Sequence, residues 1–217
     1  MAGYGDEKSS AFFEGVPPIF FRLLLAGFVL LLVISCQGTV NSSSPRSDDA
    51  LLSLYRHPQL RFFVEDYYSQ LTGDRTVAQV ILETCDQLDL DPSLGFALAW
   101  NESHFNPRAV SYNPTTVDRG LFQLNSRSFA GLDRKTVFDP RSNAVRGLTY
   151  YKMALAKLGS EEKALGYYNS GIGLVSDRAL PRSTRAYVKK ILADRDRMDR
   201  DAIAWVYFSH DTHLALR

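Results

Sequence analysis

The chain has 217 residues with 25 Lys and Arg against 24 Asp and Glu, so its formal net charge is only +1. This balance argues against nucleic-acid binding, because phosphate recognition needs clustered, uncompensated cations. A 45% hydrophobic fraction excludes a disordered chain, and two cysteines with four histidines are too few for a disulfide framework or a zinc site. The length allows one folded domain with an extension.

The sharpest change in composition is an apolar run near the amino terminus. Residues 23–34 read LLLAGFVLLLVI, with Arg22 before them and Ser35-Cys36 after them. The run is shorter than the about 20 residues that span a bilayer, and its flanks are typical of a secretory signal. Residues 33–36 resemble the lipobox of bacterial lipoproteins, which implies cleavage before Cys36 and lipidation of that thiol.

This interpretation makes residues 1–35 a signal peptide and the mature chain a periplasmic, membrane-anchored lipoprotein of the cell envelope. An uncleaved signal anchor is the alternative, because residues 1–21 are long for a signal and carry three acidic side chains. Either alternative takes the bulk of the chain out of the cytoplasm. Residues 36–50, rich in Ser and Asn, are predicted to form a flexible tether.

From Leu51 onward the apolar spacing is helical, so we predict a mainly α fold. The predicted helices, in chain order, run from Leu51, from about Phe62 to Gly73, from a Thr76 cap to Leu88, from Asp91-Pro92, from Asp139-Pro140 to Gly159, from Glu161 to about Gly171, and from Ser183 through Ile191. Only residues 120–125 are candidates for extended structure. Cys85, among apolar neighbours, is predicted to be a small buried residue without a catalytic role.

One carboxylate interrupts an apolar row. Leu94, Leu98 and Glu102 follow one another at intervals of four residues, so they share one face of the predicted helix. A carboxyl group on an apolar face loses hydration in its charged form, and its pKa should therefore rise. A general acid that holds its proton near neutral pH has this property. A helix-end Glu that turns to water is the alternative.

Three ordered motifs surround and follow this residue. They are Glu102-Ser103, the segment Gly120-Leu121-Phe122-Gln123 and the segment Tyr167-Tyr168-Asn169. Their order and spacing resemble the lytic transglycosylase family with the soluble-transglycosylase (SLT) catalytic domain, which is related to goose-type lysozyme. Phe122 and Tyr167 depart from the family's usual Met and Ala, both at packing positions.

The resemblance covers about residues 91–192 and implies a lysozyme-like SLT domain there. Residues 51–90 would then be an N-terminal helical extension, and residues 193–217 a charged and apolar C-terminal tail. The resemblance implies that Glu102 is the catalytic acid and base. The residues that it places on the substrate, or near it, are Ser103, Gln123, Asn125, Tyr168 and Asn169. Local backbone bonds for Ser103 and Asn125, and a core position for Tyr168, are the alternatives.

For activity, the resemblance implies cleavage of the β-1,4 bond between N-acetylmuramic acid and N-acetylglucosamine in peptidoglycan, with a 1,6-anhydro product. No cofactor or metal is implied. A goose-type muramidase that hydrolyses the same bond is the alternative, with Asp118 as a second carboxylate. We favour instead that Asp118 pairs with Arg119 or caps the turn.

Two further questions stay open in the sequence. A non-catalytic peptidoglycan-binding assembly protein is a second class of function, although the retained Glu102 argues against it, and a partner in an envelope-spanning assembly would suit a small tethered enzyme. Arg182, Arg185 and Lys189 either attract the carboxylates of peptide stems or face solvent. The expected partners are therefore glycan strands and, through the lipid anchor, a membrane.

Overall fold

A computed structural model describes residues 48–171 and 180–215 of the chain. Its elements are α1 (Asp48–Arg56), α2 (Arg61–Thr72), α3 (Arg75–Leu88), α4 (Pro92–Ser103), β1 (Val110–Tyr112), β2 (Val117–Arg119), β3 (Leu124–Asn125), α5 (Arg134–Phe138), α6 (Pro140–Leu158), α7 (Glu161–Ser170) and α8 (Arg182–Ala215). The predicted mainly α fold is confirmed. The predicted signal peptide, with Cys36, and most of the tether lie outside the described residues.

Helix ends follow local chemistry, with one correction. Asp91 and Asp139 each cap a helix that has Pro at its first position, as predicted. Thr76 does not cap α3; the Asp74 carboxylate accepts hydrogen bonds from the backbone N–H groups of Thr76 and Val77. Asp is as good a cap as Thr, and here it stands at the position where the backbone leaves the extended conformation.

The hydrophobic core surrounds α4, which is buried on nearly every side. The predicted N-terminal extension shares this core. The Tyr68 ring of α2 stacks on Phe96 of α4 at 3.7 Å between centroids, and the Tyr68 hydroxyl lies 3.0 Å from Ser93 Oγ. Cys85 is fully buried in the same core, as predicted. Residues 51–90 therefore support the helix that carries Glu102.

Helix α8 continues without a break through the predicted C-terminal tail. Met198, Ala202 and Val206 are buried against the core, so one side of this charged segment faces inward. Arg195 Nη1 lies 2.6 Å from a Glu161 carboxylate oxygen, which joins α8 to α7. None of the helices among residues 48–171 and 180–215 has the length and apolar content needed to cross a membrane.

A small antiparallel sheet was largely missed by the sequence analysis. Strand order is β1-β2-β3, with Val110 opposite Arg119 and Asp118 opposite Asn125. Only β3 falls within the predicted extended segment, whose first residues form a turn instead. Strands of two or three residues are too short to show a period of two in the sequence. The sheet lies between the end of α4 and the start of α5 along the chain.

Candidate active site

Glu102 lies in the last turn of α4, where an apolar helix meets the sheet. Burial raises the pKa of its carboxyl to about 7, with a smaller contribution from the negative charge of Asp118. A carboxyl group with this pKa still holds a proton near neutral pH. The sequence-based prediction that the apolar row of α4 raises this pKa is therefore confirmed.

Tyr187 is a site residue that the sequence analysis placed only in a helix. Its hydroxyl donates a hydrogen bond to Glu102 Oε1, across 85 positions of sequence. This bond favours the ionised carboxylate and so opposes the effect of burial on the Glu102 pKa. Burial likewise raises the pKa of Tyr187 well above its usual value, so the phenol remains a donor. No local sequence pattern could have identified this contact, because the two residues lie on different helices.

The turn at residues 120–123 is held from behind by Asn143 of α6. The side chain of Asn143 is fully buried; its Oδ1 accepts from Phe122 N at 2.7 Å, and its Nδ2 donates to the carbonyls of Val137 at 2.7 Å and Arg119 at 3.1 Å. Gly120 has φ +81°, and a Cβ there would lie 2.1 Å from Asn143 Nδ2. The close approach explains why this motif begins with glycine.

Ser103 connects the helix of Glu102 to the same turn. Its hydroxyl donates to Leu121 O at 2.7 Å and lies 3.2 Å from Ala99 O, and its side chain is buried. The predicted role near the sugar has no counterpart in these contacts. Their effect is to position Glu102, since the residue beside it is fixed to the turn.

Gln123 is also buried, with a left-handed backbone at φ 46°. Its Nε2 donates to Gly120 O at 2.9 Å and to Ala109 O at 3.2 Å, so the amide nitrogen is used in holding the turn. Its Oε1 has no hydrogen-bond partner among the described residues. This oxygen is itself buried, so the side chain acts mainly in holding the turn.

Tyr168 of α7 donates its hydroxyl to Phe122 O at 2.7 Å. Burial, and secondarily the charge of Glu102, raise the pKa of this phenol well above its usual value, so it lies near the acid. A Cβ at Gly147 would lie 3.1 Å from the Tyr168 hydroxyl and 2.5 Å from Phe122 Cβ. Tyr168 of the third motif and Phe122 of the second motif therefore contact each other beside Gly147 of α6, where a larger residue would clash with both.

Asp118 and Asn125 face one another across β2 and β3. Asn125 Nδ2 donates to Asp118 Oδ1 at 2.6 Å, and Asn113 Nδ2 donates to Asp118 Oδ2 at 2.7 Å. Of the two favoured roles for Asp118, the pairing with Arg119 is wrong, because neighbouring residues of a strand point to opposite faces. Its bond with Asn113, between β1 and β2, corresponds to the other role, a cap of the turn. Asp118 shares its face with the residues around Glu102.

A groove of about 280 Å³ runs beside these side chains. Its lining includes four of the predicted substrate-binding residues together with neighbouring polar and aromatic side chains: Gln123, Asn125, Tyr168, Asn169, Thr116, Arg127 and Tyr150. Glu102 does not line the groove itself but lies within electrostatic range of Tyr168 at its wall. Among residues 48–171 and 180–215 no group of three His, Cys, Asp or Glu side chains is placed to hold a metal.

Comparison with known families now adds to this geometry. The model of the family described as "Transglycosylase SLT domain" matches residues 79–190, more than half of the 217 residues. The chain therefore belongs to the transglycosylase SLT domain family, and the resemblance drawn from the three motifs is confirmed. The match begins inside α3, so part of the predicted extension lies within it.

Individual relatives match smaller parts of this chain than the family model does. The chain is 34% identical over 105 residues to the X polypeptide of Escherichia coli, covering 42% of this chain and 62% of that protein. It is 35% identical over 96 residues to membrane-bound lytic murein transglycosylase F of Yersinia enterocolitica, covering 41% of this chain and 19% of that protein. The matched stretch thus spans less than two thirds of either relative. The structure of an inactive mutant of lytic transglycosylase Slt from Pseudomonas aeruginosa aligns with a TM-score of 0.49 at 22% identity, covering 58% of this chain and 24% of that one.

Proposed function

We propose that the protein is a peptidoglycan lytic transglycosylase of the cell envelope, with Glu102 as its single catalytic acid and base. The observation that carries the proposal is a carboxyl with a pKa of about 7, hydrogen-bonded to Tyr187 and set among the family's three motifs. Cleavage takes place at the β-1,4 bond between N-acetylmuramic acid and N-acetylglucosamine. Membership of the family and the name of the Yersinia relative support this substrate class.

The reaction needs no second carboxylate. Protonated Glu102 gives its proton to the glycosidic oxygen as the bond from that oxygen to C1 of the muramic acid breaks. The C6 hydroxyl of the same sugar then attacks C1 and returns its proton to the Glu102 carboxylate. The product is a 1,6-anhydro sugar, and no water is consumed. Because the C6 hydroxyl belongs to the same sugar, its effective concentration at C1 is high, and the enzyme does not need to position a water as nucleophile.

The surrounding residues suit this cycle. Tyr187 orients the carboxyl in both protonation states, since a phenol can donate to either form. Ser103 and Tyr168 hold the helix end and the turn in place through Leu121 and Phe122. Asn125, Asn169 and Gln123, which line the groove, are the polar residues proposed to meet the sugar.

The test is mass spectrometry of the muropeptides that the full-length protein releases from purified peptidoglycan. We expect products one water lighter than hydrolysis products, and we expect Glu102→Gln to lower their rate of formation by about a thousandfold. Glu162→Gln, on the exposed side of α7, controls for the loss of a charge. Undiminished release by Glu102→Gln would remove the proposal.

Hydrolysis of the same bond is the second candidate, and the position of Asp118 favours it. Asp118 is close enough to raise the pKa of Glu102, as a carboxylate that orients a water would be. Both of its oxygens, however, already accept hydrogen bonds from Asn113 and Asn125. Asp118→Asn should therefore leave anhydro products dominant, with activity within about threefold of the wild type. Products of hydrolytic mass that disappear in this variant would make the protein a muramidase.

We also propose anchoring of the mature chain through Cys36, with residues 36–50 as tether and residues 91–192 as the catalytic domain. The support is the lipobox-like sequence. Metabolic labelling with a clickable palmitate analogue should mark the wild type, and the label should be lost in Cys36→Ser. A wild type without label would favour the uncleaved signal anchor, and label that persists in Cys36→Ser would overturn lipidation at Cys36. A non-catalytic assembly protein would bind peptidoglycan and release nothing.

A further inference from the structure

The second face of the sheet carries a cluster of cations. Asp118 accepts hydrogen bonds from Asn113 and Asn125 on one face of β2, so its neighbour Arg119 points to the opposite face, where Val110 is its cross-strand partner. Arg119, Val110 and Tyr112 line a cavity of about 370 Å³ together with residues of α5. The side chain of Tyr112 is 82% exposed at its rim.

A larger cavity of about 920 Å³ adjoins it. The two share Val110, Arg134 and Phe138, and the larger one adds Arg108 and Lys135. We call the two together the basic cleft, defined by the cations Arg108, Arg119, Arg134 and Lys135. This cleft is more spacious than the groove beside Glu102.

The four cations have no carboxylate within ion-pair distance among residues 48–171 and 180–215, whereas Arg56, Arg61, Arg141 and Arg195 all have one. The guanidinium of Arg134 lies 5.8 Å from the centroid of the Phe138 ring, which is an exposed cation–π contact and leaves its charge available. Asp139 lies at the wall, but its carboxylate caps α6 through Ser142 N at 2.8 Å. The basic cleft is therefore a concentrated positive region in a chain whose net charge is near zero.

We propose that the basic cleft binds the free carboxylates of the peptide stems carried by the glycan strand, an inference that rests on the proposed function. Short peptides with several carboxylates and small apolar side chains match cations flanked by Val110 and Phe138. A peptide of about four residues reaches about 13 Å when extended, so its carboxylates can lie well away from the glycan strand that carries it. The proposal therefore requires the stem to run around the edge of the small sheet, with its carboxylates at the basic cleft.

This assignment differs from the one that the sequence left open. Arg185, one of three α8 cations considered for stem binding, donates to Leu180 O at 2.7 Å. Neither Arg182, Arg185 nor Lys189 lines the groove or the basic cleft. The cavity and the free cations instead lie together at the sheet and α5.

Binding is tested without turnover. Full-length Glu102→Gln is titrated with a synthetic stem peptide that has free carboxylates, and with the same peptide fully amidated. We expect the free peptide to bind at least about fivefold tighter at low salt, with the difference falling as salt rises.

Two double variants in the Glu102→Gln background locate the site. Arg134→Gln/Lys135→Gln should weaken binding of the free peptide about three- to tenfold. Lys157→Gln/Lys163→Gln removes two exposed cations that line neither the groove nor the basic cleft, and it should leave the affinity unchanged. Equal affinity for the free and the amidated peptide would overturn the proposal.

Turnover separates this inference from the function on which it rests. With the wild-type acid in place, Arg134→Gln/Lys135→Gln should raise KM about three- to tenfold on strands with intact stems and leave kcat unchanged. On strands stripped of their stems by an amidase, the variant and the wild type should agree. An equal loss on both strands would refute stem binding while leaving the transglycosylase intact. Absence of anhydro products from the wild type on either strand would remove the proposed function alone, since the peptide titration needs no catalysis.

Discussion

The two faces of the small sheet differ in how their polar side chains are held. On the groove face, Asp118, Asn125 and Thr116 form hydrogen bonds with one another. On the other face, Arg119 and its neighbours in the basic cleft have no ion-pair partner among the described residues. Side chains held by hydrogen bonds, as on the groove face, suit a reaction that needs a defined geometry. Cations without ion-pair partners, as in the basic cleft, suit a flexible ligand that binds in more than one conformation. Substitutions that break fixed, buried hydrogen bonds around the groove should therefore cost more stability than substitutions of the free cations.

The largest effect is expected behind the groove face, at Asn143. Asn143→Ala leaves the Phe122 N–H and the carbonyls of Val137 and Arg119 without their partner in a buried place. The free energy of unfolding should fall by about 4 kcal/mol. Chemical denaturation measures it, with Val145→Ala on the exposed side of α6 as control. A loss below about 1 kcal/mol would show that the turn holds itself.

Glu102→Gln should make the protein more stable at alkaline pH. The pKa of Glu102 is about 7 in the fold against 4.5 for an ordinary glutamate, so the wild type is most stable below 4.5 and loses stability as pH rises through 7. The difference amounts to about 3 kcal/mol at about pH 8, and it should vanish near about pH 4.5. The measurement is the free energy of unfolding of the wild type and of Glu102→Gln across this pH range. If the two curves ran parallel, the pKa of Glu102 would be the same in the folded and the unfolded protein, which would contradict the prediction.

Removal of the Tyr187 hydroxyl should act on the acid rather than on the fold. Tyr187→Phe loses the hydrogen bond that favours ionised Glu102, so the pKa of Glu102 should rise above about 7. The alkaline limb of the kcat/KM profile should move to higher pH, and the maximum should fall about tenfold because the carboxyl is less well oriented. Tyr207→Phe, at an exposed position of the same helix, is the matched control. An unmoved limb would contradict the contact.

The smallest effect on the free energy of unfolding is expected in the basic cleft. Arg134→Gln/Lys135→Gln should change the free energy of unfolding by less than about 0.5 kcal/mol, because neither side chain has an ion-pair partner to lose among the described residues. Thermal unfolding of the double variant measures this. A loss as large as that expected for Asn143→Ala would erase the contrast between the two faces.

Local sequence signals were sufficient for most helices and for the raised pKa of Glu102. Asp91-Pro92 and Asp139-Pro140 start helices because a cap and a fixed φ act within a few residues. The row of Leu94, Leu98 and Glu102 predicted a buried carboxyl, because side chains four residues apart lie on one helix face. The cap of α3 is Asp74 and not the predicted Thr76, because both residue types make good caps and only the backbone geometry decides which one serves.

The tertiary structure alone decided how these local features meet. Tyr187 lies 85 positions from Glu102, and Asn143 lies 21 positions from Phe122, yet each pair is joined by a hydrogen bond. Short strands put Asp118 and Arg119 on opposite faces, where the sequence had left open an ion pair between them or a turn cap by Asp118. The sequence by itself determined the helices, the buried acid and the family motifs, because those depend on nearest neighbours and on residues one helical turn apart. The partner of the acid and the two unlike faces of the sheet depend on how distant segments pack, which no local pattern records.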